Sequence, residues 1–176
     1  MDQFPANEAD DGIAPGIGPE APLAIACTNT ALRRATRRLG QLYDDAISPL
    51  GLKATQFGLL VAINQLSEQD RGPTLNAVAT HQLVQISALT HALRPLVRDG
   101  LVALHPDLED RRSKRATLTP AGRSLMQQAV SRWADANGRI ETTLGPTVAA
   151  NLRALADLIS SERFLAAYYD GLRLKP

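Results

Sequence analysis

Apolar side chains recur along this chain at three- and four-residue spacing, in blocks punctuated by Gly and Pro. Leu32, Ala35, Leu39, Leu42 and Ala46 predict a helix from about Pro22 to Ile47, closed by Ser48-Pro-Leu-Gly51. Arg33, Arg34, Arg37 and Arg38 fall on its other faces. A second helix is predicted from about Ala54 to Leu66, carrying Phe57, Leu60, Val61 and Ile63, and Ser67 to Pro73 reads as a polar loop. Thr74 is a hydroxyl cap for a third helix over about Leu75 to Leu83. Val84 and Gln85 make a turn, and a fourth helix follows from about Ile86 to Asp99. Leu89, Leu93, Leu96 and Val97 form its expected inner face. Pro95 removes the bond to the carbonyl of His91, which predicts a kink in the second half and leaves the first turns regular.

The period then changes. Leu101 to Leu104 and Arg115 to Thr119 read as two short strands. Their charged tip holds Asp107, Glu109, Asp110, Arg111, Arg112, Ser113 and Lys114. Thr119-Pro120 is a cap followed by proline at the first helical position, so a fifth helix starts there. It is expected to reach about Leu144, with Leu125, Ala129, Trp133, Ala136 and Ile140 on one stripe. Gly145-Pro146 interrupts, and Thr147 is a cap for a sixth helix with Val148, Leu152, Leu155 and Ile159 on one side. Phe164, Tyr168 and Tyr169 follow.

A helix-turn-helix pattern followed by a basic hairpin is the arrangement of a winged helix-turn-helix. The expected fold class is therefore mostly α with a small β-hairpin wing. Four segments are expected: a disordered acidic tail over 1–20, an N-terminal dimerisation helix over 21–53, the winged lobe over 54–119, and C-terminal dimerisation helices over 120–176. The long terminal helices carry apolar stripes that a two-fold partner would cover, so a homodimer is expected.

Composition sharpens this reading in three ways. Aromatic residues make up only 4% of the 176, and Ala and Leu dominate, which favours helices. No apolar run approaches about 18 residues and no secretory signal is visible, and one cysteine, Cys27, allows no internal disulfide. A cytoplasmic protein without membrane contact is expected. The net charge of +1 conceals an asymmetry: residues 1–20 carry Asp2, Glu8, Asp10, Asp11 and Glu20 with no Lys or Arg, so the rest of the chain is basic. His81, His91, His105 and Cys27 share no metal-ligand spacing. No phosphate loop or nucleophile elbow is present. Neither catalysis, a metal nor a cofactor is expected.

The order Thr90-His-Ala-Leu, Leu96, Gly100-Leu-Val, Asp110-Arg-Arg, Leu118-Thr-Pro-Ala-Gly122 resembles the MarR family of bacterial transcriptional regulators, over about Cys27 to Leu144. The resemblance implies a homodimer joined through N- and C-terminal helices, bound to double-stranded DNA at an inverted-repeat operator. Repression released by a small effector is the default. The fourth helix would enter the major groove, presenting Gln85, Ser87, Ala88, Thr90, His91 and Arg94. Gln can pair with adenine, while Arg94 and Arg98 are phosphate contacts. His91 stands where the family pattern often has Arg, which weakens guanine readout there and admits pH dependence. At the tip, the resemblance implies that Asp110 holds the neighbouring arginine while Arg112 enters the minor groove. Arg111, Lys114 and Arg115 would neutralise phosphate.

The resemblance also implies an aromatic, phenolic or acyl-coenzyme A effector between the dimerisation helices and the DNA-binding lobe. Leu39, Tyr43, Phe57, Leu60 and Trp133 are candidate lining, or ordinary core. Arg33 and Arg37, with Arg34 and Arg38, are candidate partners for an anionic effector, or a solvated face. Cys27, early in the first helix where the dipole lowers a thiol pKa, is either a redox switch or a packing residue. A winged helix that binds protein instead of DNA is the remaining alternative.

Overall fold

The structure, a computed structural model, describes residues 27–68, 71–110 and 113–173. The acidic tail, the expected helix start at Pro22 and the tip arginines Arg111 and Arg112 lie outside the described residues. Contacts divide the chain into units 1–37 and 38–176, each described by itself, and the division falls inside the first helix.

That helix, α1, spans Thr28–Ile47, and a short 3-10 turn, Ser48–Leu50, closes it. Gly51 follows with φ 72, the left-handed conformation that a side chain would strain. The next helix, α2 (Ala54–Leu66), is where sequence spacing placed it. Its first amide is capped from a distance: Ala54 N–H donates to Asp44 Oδ1 of α1 at 2.6 Å, and Lys53 N–H donates to Gln56 Oε1 at 2.9 Å. Phe57, Leu59, Leu60, Ala62 and Ile63 are all buried, so α2 is apolar on most sides and forms the axis of the core. It packs on α3 (Leu75–His81), α4 (Ile86–Arg98), α5 (Pro120–Leu144) and the second strand.

The cap at Thr74 is as expected, with its hydroxyl accepting from Ala77 N–H at 3.1 Å. The third helix is shorter than expected. It ends at His81, and Gln82-Leu83 make the turn, with Leu83 at φ 51. α4 runs unbroken through Pro95 to Arg98. Leu89, Leu93 and Leu96 are buried at one stripe, each side chain stabilising the lobe by roughly 1.5–3 kcal/mol. Val97, expected on that stripe, is exposed instead.

The hairpin pairs β1 (Val102–Pro106) with β2 (Lys114–Leu118), in register Val102 with Leu118 and Pro106 with Lys114. The strands sit one or two residues off the expected spans. The supposed loop before Thr74 adds a third edge: Ala116 N–H donates to Pro73 O at 3.0 Å, and Thr74 bridges Arg115. Gly72 is demanded by this approach, since a Cβ there would lie 1.9 Å from the Ala116 carbonyl oxygen.

Thr119 ties the hairpin to α5. Its amide donates to Leu101 O at 3.1 Å, and its hydroxyl donates to Gly100 O at 2.7 Å and accepts from Gly122 N–H at 3.0 Å. Two more helices, α6 (Pro146–Ile159) and α7 (Glu162–Arg173), complete the second unit. Gly145 at φ 79, not Thr147, stands at the α6 N-terminus, because Pro146 already occupies the first helical position. The stretch holding Phe164, Tyr168 and Tyr169 is the helix α7, with Ser161 Oγ accepting from Phe164 N–H at 3.2 Å.

Gly122 has the same logic as Gly72: a Cβ would lie 2.0 Å from the Leu101 carbonyl oxygen. Alanine is the better helix former, yet Gly122→Ala is expected to lower unfolding free energy by about 1–3 kcal/mol, because backbone must move. Urea denaturation measures this, and an unchanged or raised midpoint would contradict the close approach.

Candidate nucleic-acid interface

The α4 periodicity divides its residues cleanly. Leu89, Leu93 and Leu96 anchor it, and Gln85, Ser87, Ala88, Thr90, His91, Arg94 and Arg98 are all exposed. Two of these have local partners. Thr90 Oγ donates to the Ile86 carbonyl at 2.8 Å. Arg98 pairs with its neighbour Asp99 at 2.8 Å through Nε, which holds the Asp99 carboxyl below the usual carboxylate range and raises the guanidinium. An exposed pair of this kind is easily exchanged for a phosphate.

The wing is built around a carboxylate that the sequence does not single out. Asp107 is only 4% exposed. Its Oδ1 accepts from Glu109 N–H at 2.8 Å and Asp110 N–H at 3.4 Å, which folds the tip back on itself. Its Oδ2 accepts from Arg115 Nε, and Arg71 Nη2 lies 3.5 Å from Oδ1. The tip closes with Asp107 N–H donating to Ser113 O at 3.0 Å and Ser113 N–H donating to Asp110 O at 2.8 Å. Hydrogen bonding from Glu109 N–H, opposed by burial and reinforced by Arg115, holds the Asp107 carboxyl below its ordinary value.

Arg115 and Arg71 are structural cations. Arg115 also donates from Nη1 to the Gly72 carbonyl at 2.8 Å, so it spans strand and loop. Expected as a free phosphate ligand, it is instead half-sequestered as a brace, because the only buried carboxylate among the described residues lies beside it. Arg71 clamps Glu109 Oε1 with both Nη atoms at 3.1 Å. Sequence reasoning missed Arg71 because its partners lie 36 to 38 positions away. Lys114 is exposed, as expected, whereas Asp110 is exposed with its carbonyl used in closing the tip. Arg111 and Arg112 lie outside the described residues, between the fixed points Asp110 and Ser113.

The effector candidates separate. Leu60 is fully buried and Phe57 nearly so, and both belong to the core instead of a cavity wall. Leu39, Tyr43 and Trp133 line a cavity of about 420 Å³ together with Asn137, Leu152 and Arg153. Tyr43 stacks on Trp133 at 5.9 Å and donates its hydroxyl to Asn137 Oδ1 at 2.8 Å. Burial, with Glu141 nearby, raises the Tyr43 pKa. Arg153 pairs with Glu141 at the same site. Arg33, Arg34 and Arg37 belong to the first unit and are exposed. Cys27 lies just before α1, not within it, and its backbone carbonyl accepts Ala31 N–H at 3.1 Å. Its thiol is exposed and lowered chiefly by hydrogen bonding with Thr30. Among the described residues no group of His, Cys, Asp and Glu is arranged to hold a metal. No single helix among them is long and apolar enough to cross a membrane.

No family model matches the sequence. The chain is 36% identical over 123 residues to the HTH-type transcriptional repressor Rv2887 of Mycobacterium tuberculosis, covering 69% of this chain and 82% of that protein. Among solved structures, the fold matches the M. tuberculosis transcriptional regulator MosR in complex with DNA, at TM-score 0.64 and 34% identity, over 74% of this chain and 94% of that one. It also matches a MarR-family transcriptional regulator from Rhodococcus sp. RHA1, at TM-score 0.65 and 26% identity, over 75% of this chain and 91% of that one.

The Asp107 brace sets an acid limit. A carboxyl depressed in the fold contributes stability above its unfolded pKa and loses it as pH falls through the folded value. Thermal stability of the parent is therefore expected to fall below about pH 4. Asp107→Asn should start lower at pH 7, fall less steeply in acid, and bind DNA roughly tenfold more weakly. Melting curves at stepped pH check the first two, and a parallel slope in both proteins would refute the assignment.

Proposed function

Because the chain belongs to the MarR family of winged helix-turn-helix transcriptional regulators, we propose that it acts as a homodimeric repressor of an inverted-repeat operator, released by a small effector. The observation that carries the reading is the joint presentation, on one lobe, of an exposed α4 face and a hairpin braced by Asp107 and Arg115 that leaves Lys114 exposed. In this reading α4 enters the major groove, Arg94 and Arg98 meet phosphates, and the wing carries Arg112 into the minor groove, with Arg111 and Lys114 beside the backbone. That a relative 34% identical is a regulator solved with DNA supports it. The repressor name of the 36% identical relative supports the direction of control.

Dimerisation is supported by unsatisfied apolar surface. Leu155 is 56% exposed on α6, and Val148, Leu158, Phe164, Leu165 and Tyr168 are exposed along α6 and α7. Large apolar side chains left exposed in this number along two helices favour an association surface. The domain organisation follows: helices over 21–53 and 120–176 join the copies, and 54–119 reads DNA. The two α4 helices would then stand about 34 Å apart, one DNA turn.

The effector reading rests on the Tyr43–Trp133 cavity. Its volume and aromatic wall suit a small aromatic ligand. An acidic group on that ligand would compete with Glu141 for Arg153. Release requires only that the ligand prefer a dimer geometry unsuited to the operator.

Sedimentation and mobility shift test the assembly together. The parent is expected to sediment as a dimer at micromolar concentration, and Leu155→Asp as a monomer with its operator binding lost. A monomeric parent would overturn the proposal. On an operator duplex, Lys114→Ala should lower the slope of log affinity against log salt by roughly two for two copies, at about 0.9 per lost phosphate contact. An unchanged slope would remove Lys114 from the backbone contacts.

A further inference from the structure

The leading end of α4 is uncharged and rich in exposed apolar groups. Leu83 is 65% exposed, held at φ 51 in the turn, and Val84 and Ile86 are each 43% exposed. Ala88 and Ala92, on the following turns, are exposed in a groove shared with Ala54, Thr55 and Gly58 of α2. Gln85, Ser87, Thr90 and His91 are the polar groups of this stretch, and no Lys or Arg occurs between Val84 and Leu93. The Thr90 hydroxyl donates its hydrogen bond to the Ile86 carbonyl, which leaves it acceptor capacity but no donor for a base. The first guanidinium along the helix is Arg94. Hydrophobic side chains of this size at a helix start usually turn inward, but here Leu89 and Leu93 fill that role.

The major groove contains one apolar group, the C5 methyl of thymine. A guanine edge shows two acceptors, and pressing Ile against it without a donor would strand them. The same side chain against a thymine methyl removes apolar surface from water on both sides. We infer that Ile86 recognises a thymine methyl group in each half-site, with Gln85 pairing to an adjacent adenine, so that the half-site core under α4 is A·T-rich. Discrimination against G·C then comes from unsatisfied acceptors as much as from attraction. This inference rests on the reading of α4 as the major-groove helix. It adds which bases that helix selects and by what chemistry.

The test begins with a randomised duplex pool selected on the full chain. Enrichment of A·T pairs in each half-site core is expected. In the best duplex, each core dT is then replaced singly by deoxyuridine, which removes only the methyl. At the contacted positions the parent should bind about fourfold more weakly per methyl lost. Ile86→Ala should lose most of this preference, its thymine-to-uracil affinity ratio approaching about one. Because Ile86 is exposed, the variant should keep the parent's helical circular dichroism, and the uracil series on the parent is informative without it. A G·C core, or equal affinity for thymine and uracil duplexes, overturns the inference while leaving operator binding intact. A uracil effect undiminished in Ile86→Ala overturns the assignment to that side chain. A pool with no enrichment overturns both the inference and the reading beneath it.

Discussion

Asp107 carries the geometry of the wing. Its carboxylate is withdrawn from water and compensated by two amides of its own tip, the Arg115 guanidinium and the nearby Arg71. A buried carboxylate with fewer partners would be costly, and a hairpin tip without such a centre would have no fixed shape. Arg115 extends the brace to the Gly72 carbonyl, and Gly72 can lie that close to β2 only because it has no Cβ. Among the described residues, the end of the loop before α3 and the hairpin are thus tied together through Gly72, Arg115 and Asp107. The same tip is closed by the bonds of Ser113 with Asp107 and Asp110.

The division of labour among cations follows from the same centre. A short stretch rich in Arg looks uniformly available for phosphate. Local partners decide otherwise: Arg115 is consumed internally and Arg71, though partly exposed, is tied to Glu109 and Asp107, while Lys114 and Arg94 stay in water. The electrostatic attraction to DNA is therefore smaller than a count of charges implies, and its position is better defined. On α4 the outward face carries no Lys or Arg until Arg94, so in the proposed complex attraction to the backbone and discrimination among bases would come from different parts of the lobe.

The terminal helices show the opposite condition. α2 is apolar around most of its circumference and finds partners within the chain, whereas α6 and α7 leave Leu155, Phe164 and Tyr168 in water. The cavity beside Tyr43 and Trp133 lies among α1, α5 and α6. In the proposed dimer, a ligand there would touch α6, one of the two helices whose apolar side chains are left exposed. Such a placement would join the two events a regulator must couple, ligand capture and a change in how two reading lobes are spaced.

Local rules written into single residues were legible in the sequence. The span of α2, the caps at Thr74 and Thr119, the proline start of α5 and the Leu89–Leu93–Leu96 stripe depend on neighbours within a few positions, and each stands as spacing predicted. Periodicity failed where packing or a neighbouring residue overrode it. Val97 fits the inner stripe by spacing yet is exposed, and Thr147 is a good cap displaced by Pro146. The roles of Asp107, Arg71 and Gly72 were invisible for a related reason. Nothing within a few residues of Gly72 marks it as pressed against Ala116, and no spacing rule distinguishes a carboxylate that will be buried from one left in water. Sequence alone determined the helices, the hairpin and the face of α4 turned outward, because those follow from short-range periodicity. Tertiary structure alone decided which charges are spent holding the wing, because that depends on which distant groups share a dry site.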